Sequence, residues 1–101
     1  YIDSRRSYRA VAESVRAVLP TEGCVASRNL GEAQRVLFQY FANLVTVRAE
    51  HARIERCTAL LVQYGRNDRD PAAPDGWQAA WTGQRRGDDT ERYILYLRKP
   101  P

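Results

Sequence analysis

Apolar residues recur at three- and four-residue steps through Tyr8, Val11, Val15, Val18 and Leu19. That spacing predicts a helix from about Ser4 to Val18, with Asp3 as N-cap and Pro20 as its stop. The turn PTEG leads into a short β-favouring run, Cys24 to Ser27. Asn29 and Glu32 then have the spacing of a capping box that opens a second helix, with Ala33, Val36, Leu37, Tyr40, Phe41 and Leu44 on one face. Val45 to Ala49 alternates and carries β-branched residues, so strand, helix and strand form a βαβ unit with parallel strands.

The pattern changes after Ala49. EHARIER is polar around Ile54 and fits either a loop or a single helical turn. Thr58 to Gly65 is the most continuously apolar run, as expected of a central strand buried on both faces. RNDRDPAAPDG, with Pro71, Pro74 and Gly76, is a long polar loop. WQAAWT and RYILYLR favour β-structure and should pair as an antiparallel hairpin around a charged turn. The predicted order α-β-α-β-β-β-β is an α/β fold of two or three layers, with a mixed sheet of four to five strands.

A chain of 101 residues fits one domain. No apolar run approaches the roughly 20 residues that span a bilayer, and YIDSRRSYRA lacks the apolar core of a signal peptide, so the piece reads as soluble. The absence of methionine and the start at Tyr1 lead to the expectation of a segment cut from a longer protein or of a processed product. The net charge is +4, and all of the 16 basic residues except Lys99 are arginine. Arginine suits phosphate and carboxylate, but Arg5, Arg16, Arg35, Arg53, Arg66 and Arg98 are scattered along the chain, as on a solvated surface.

Chemistry-bearing clusters are sparse. His51 is the one histidine and has no nucleophile near it in sequence, and two cysteines 33 positions apart lack metal-site spacing. Asp68, Asp70, Asp75, Asp88, Asp89 and Glu91 fall in predicted loops, where acidic residues are ordinary. No cofactor is implied. If the strands at Cys24 and Cys57 are neighbours, their spacing of about 4.8 Å suits a disulfide as well as two buried thiols.

Two stretches raise anion binding. Around the last turn, Arg85, Arg86 and Arg92 mix with Asp88, Asp89 and Glu91, which fits a solvated hairpin or a docking surface for phosphate or carboxylate with Trp81 alongside. Strand, turn and helix in CVASRNLGEAQ could cradle a phosphate, but Gly31 stands alone where dinucleotide and P-loop motifs need more. The expected capping box also uses the helix-start amides, which leaves Arg28 to reach an anion. Nucleic acid is disfavoured as a partner because no basic run tracks one face.

SYRAVAESVRAVLP, GCVASRNLGEAQRVLFQYFANLVTVRA, CTALLVQYG and GWQAAWTGQRRGDDTERYILYLRK together resemble the C-terminal soluble domain of bacterial membrane glycosyltransferases. These are relatives of dolichyl-phosphate-mannose protein mannosyltransferases and of the aminoarabinose transferase that modifies lipid A. The resemblance implies a polytopic inner-membrane enzyme that moves a sugar from a polyprenyl-phosphate carrier to a periplasmic acceptor. It carries no catalytic residue into this chain, whose role would be accessory, beside the transmembrane catalytic part. It also implies a periplasmic domain, which favours the Cys24–Cys57 disulfide and sets Arg5, Arg6 and Arg9 near anionic lipid headgroups. The alternative is a free-standing basic module for nucleic acid or protein interaction.

Overall fold

A computed structural model describes residues 4–65, 68, 69, 71–84 and 91–100, the side chains of residues 4–7 apart. Helix α1 (Ser4–Val18) is followed by β1 (Cys24–Arg28), α2 (Glu32–Ala42), β2 (Thr46–Arg48), β3 (Cys57–Tyr64), β4 (Trp77–Gln84) and β5 (Arg92–Arg98). The strands form one mixed sheet in the order β2-β1-β3-β5-β4. β1 lies parallel to β2 and β3, whereas β5 runs antiparallel to both β3 and β4. The fold is therefore α/β, with the expected βαβ unit and C-terminal antiparallel pair. Asp3 lies outside the described residues.

Both helices cover one face. Val11, Ala12 and Val15 of α1 and Phe38 and Ala42 of α2 pack with Ala59, Leu61, Tyr93 and Leu95. Phe38 meets Tyr93 edge to face, with ring centroids 5.3 Å apart. This contact corrects part of the apolar stripe expected on α2: Val36 and Tyr40 are 60% and 78% exposed and Phe38 and Ala42 are buried, while Phe41 and Leu44 pack on the core as expected. The helix turns toward the ring it packs against, and Gln34, one turn before Phe38, enters a polar cluster. There its Nε2 donates to Glu91 Oε1 at 2.8 Å, and Tyr8 and Tyr93 donate their hydroxyls to the same carboxylate.

No helix among the described residues lies on the other face, yet Leu60, Val62, Trp77 and Tyr96 are buried there. Described parts of two crossovers roof it. Residues 49–56 join β2 to β3 as a series of turns, and Ile54 packs into this second core. Between β3 and β4 the described residues include Pro71, whose carbonyl accepts the Tyr96 hydroxyl at 2.6 Å. Arg98 secures the first crossover: its guanidinium lies 3.9 Å from the Trp77 ring centroid and donates to the Ile54, Glu55 and Cys57 carbonyls. An arginine that reads as solvated surface in the sequence is thus a staple, its flat cation on an aromatic face and its donors on otherwise open carbonyls.

The first residues of β1 and β3 are joined by the Cys24–Cys57 disulfide, with Cα atoms 4.3 Å apart. The register there is irregular: Cys24 pairs with Cys57 but Val25 with Ala59, which leaves Thr58 as an extra residue. Side chains alternate along a strand, and Ala59 faces the helices, so a regular β3 would turn Cys57 the same way. The extra residue returns Cys57 to the loop-covered face beside Cys24. Thr58 then fills the space over Gly23, where an added Cβ would stand 2.5 Å from its Cγ2, and Gly23 has φ +86°. Thr58 also donates its hydroxyl to the Glu22 carbonyl at 2.9 Å. Gly23→Ala should therefore lower unfolding stability by about 1–3 kcal/mol through the left-handed backbone and the stiff β-branched neighbour. Urea denaturation checks this, and an unchanged midpoint would contradict it.

Candidate anion site at the strand ends

The loop between β1 and α2 does not form the expected capping box. Asn29 adopts φ +60°, and its N–H donates to Glu50 Oε2 at 2.8 Å. The N-cap is Gly31, without a side-chain cap, and its N–H donates to Gln63 Oε1 at 3.0 Å. Both amides that could have cradled a phosphate are held by side chains from elsewhere in the chain, one of them a carboxylate. The Asn29 N–H is the main reason that the Glu50 carboxyl lies below the usual glutamate range. Slight burial opposes the shift, and its own amide and the charges of Arg48 and His51 add to it.

Two cavities open instead at the carboxyl ends of β1 and β3, on the loop-covered face. The first, about 280 Å³, is lined by Arg28, Asn29, Tyr64, Arg69, Pro71 and Tyr96 among others. The second, about 250 Å³, is lined by Tyr64, Thr82, Gly83, Gln84 and Arg92. Tyr64 borders both. The register explains the grouping: Arg28 pairs with Val62, and Tyr64 pairs with Arg92, which pairs in turn with Gln84. Alternation then sets Arg28, Val62, Tyr64 and Arg92 on one face.

Among the sequence-predicted residues, Arg28 and Arg92 thus share a face, separated by Tyr64. Trp81 lies on the opposite face, where its Nε1 donates to Ser14 Oγ of α1 at 2.8 Å, and so is held away from Arg92. Arg9 sits over the Phe41 ring at 5.4 Å. Arg5 and Arg6 belong to the first turns of α1, with side chains outside the described residues, and Arg85 and Arg86 lie outside them altogether. Sequence reasoning passed over Arg69 and Gln63, whereas the strand ends after Ser27 and Tyr64 read as the place for a ligand should the chain be an enzyme on its own.

Chemically, the two cavities present guanidinium, phenol and amide groups. Asp68, a carboxylate at the first cavity, accepts the Gly65 N–H at 2.8 Å. Among the described residues no three His, Cys, Asp or Glu side chains gather as a metal site. The guanidinium, phenol and amide groups are hydrogen-bond donors of the kind that meet anions. Compared with known families, curated proteins and solved structures, the chain matches none.

The Glu50 contact makes a pH prediction. Its pKa is depressed on folding, so its contribution is complete above the ordinary glutamate value of about 4.3 and is lost as pH falls through the lower folded value. Carbon-detected NMR titration should give a Glu50 midpoint below that ordinary value, with the Asn29 amide shifting over the same interval. A midpoint at or above it would contradict the assignment.

Proposed function

We propose that this chain is a non-catalytic accessory domain of a polytopic membrane glycosyltransferase, which moves a sugar from a polyprenyl-phosphate carrier to an acceptor on the periplasmic side. The observation that carries the reading is the Cys24–Cys57 disulfide, because such bridges persist in oxidising compartments such as the periplasm and are rare in the reducing cytosol. The four stretches that carry the family resemblance also supply α1, the βαβ unit, β3 and the β4–β5 pair, so the resemblance lies in the frame of the fold.

On this reading the transmembrane part of the same protein performs the transfer. Tyr40, exposed beside Phe41, and Arg9, stacked on Phe41, suit a surface near lipid headgroups, where amphipathic aromatics and cations collect.

Fractionation of the source cells with an antibody raised against the chain tests the proposal. The expected result is a band well above 11.6 kDa that resists carbonate extraction and is cut by protease in intact spheroplasts. A carbonate-soluble band near 11.6 kDa, protected inside spheroplasts, would overturn it.

A further inference from the structure

The geometry points to a phosphate-binding site formed by Arg92, Tyr64 and Arg28 on the loop-covered face of the sheet. The observation behind it is Arg92: its Nε is buried and has no hydrogen-bond partner. Buried polar groups are almost always paired, and an unpaired donor on a guanidinium that borders a cavity calls for an acceptor. The cavity it lines is about 250 Å³ and is shared with Tyr64, ample for a phosphate group. On the far side of the same tyrosine, Arg28 and Arg69 line the neighbouring cavity.

Three carboxylates among the described residues are engaged elsewhere. Asp68 holds the Gly65 amide and Glu50 the Asn29 amide. Glu91, next to Arg92 in sequence, faces the helices and takes the hydroxyls of Tyr8 and Tyr93. Among the described residues, these three carboxylates are spent on donors other than Arg28, Arg69 and Arg92. From strand spacing and rise, the Cα atoms of Arg28 and Arg92 stand about 12 Å apart. That gap suits a ligand whose phosphate meets one guanidinium while the remainder lies along the Tyr64 ring toward the other. The fork geometry of arginine matches phosphate oxygens in pairs.

This assignment rests on the side chains alone and is independent of the parent-enzyme reading. The same phosphate chemistry belongs to a free phosphate ester and to a lipid headgroup, and the test has an arm for each. Pyrophosphate is titrated into the 101-residue chain while the Arg92 Nε–Hε and Tyr64 amide signals are followed by NMR. In parallel, sedimentation measures binding to vesicles containing phosphatidylglycerol.

The expected result is a saturable shift of both signals, or vesicle binding, that weakens at least tenfold in Arg92→Gln. Arg16→Gln, on the helix-covered side, should leave binding unchanged. Because Arg28 is exposed, Arg28→Gln keeps the fold and reads the same site should Arg92→Gln fail to fold. Saturation by pyrophosphate identifies a free phosphate group, and response to vesicles alone identifies a headgroup. If neither probe moves Arg92, or if Arg16→Gln weakens binding as much as the site variants do, the proposal is overturned.

Discussion

β1 and β3 meet in parallel near the middle of the sheet, and the bridged cysteines at their first residues fix where one strand stands against the other. The extra residue at Thr58 brings Cys57 to the face that Cys24 occupies. Gly23, without a side chain, admits Thr58 against the backbone. β1 is five residues long and β2 three, and neither has the long antiparallel ladder that joins β3, β5 and β4. A cross-link closing a loop of this size stabilises by about 3–4 kcal/mol in the chain-entropy account. That is a large share of the margin available to a domain of about a hundred residues.

With the strand starts closed, the opposite ends of β1 and β3 carry the open features. Leu60, Val62 and Tyr96 are buried on the second face, while a cavity borders Tyr64. Arg98 and Arg92 stand on the same face of β5, six residues apart, and differ in their surroundings. Arg98 has a tryptophan ring and three carbonyls. Arg92 has a buried donor without an acceptor. One arginine serves the fold, and the other is left for a ligand.

The elements legible in the sequence were those set by local pattern. Helix α1 follows its three- and four-residue steps to Pro20, and the apolar run from Thr58 and the final RYILYLR lie in the two central strands β3 and β5. What the sequence hid was decided by residues far along the chain. The α2 N-terminus is served by Gln63 and the preceding turn by Glu50, so a capping box with the right spacing does not form. The buried stripe of α2 is set by Tyr93, which no local periodicity reveals. Of the strand-end site, Arg28 and Arg92 stood out as cations, but their common face depended on the strand order, which brings β5 beside β3 and leaves β4 at the edge.

If the cysteine bridge holds β1 to the rest of the sheet, reducing it must loosen one side of the molecule before the other. Native-state hydrogen exchange on the oxidised and reduced chain measures this directly. The account predicts that reduction strips protection from the amides of β1 and β2 while those of β3 and β5 stay slow. Equal protection before and after reduction, or a uniform loss across all five strands, would contradict it.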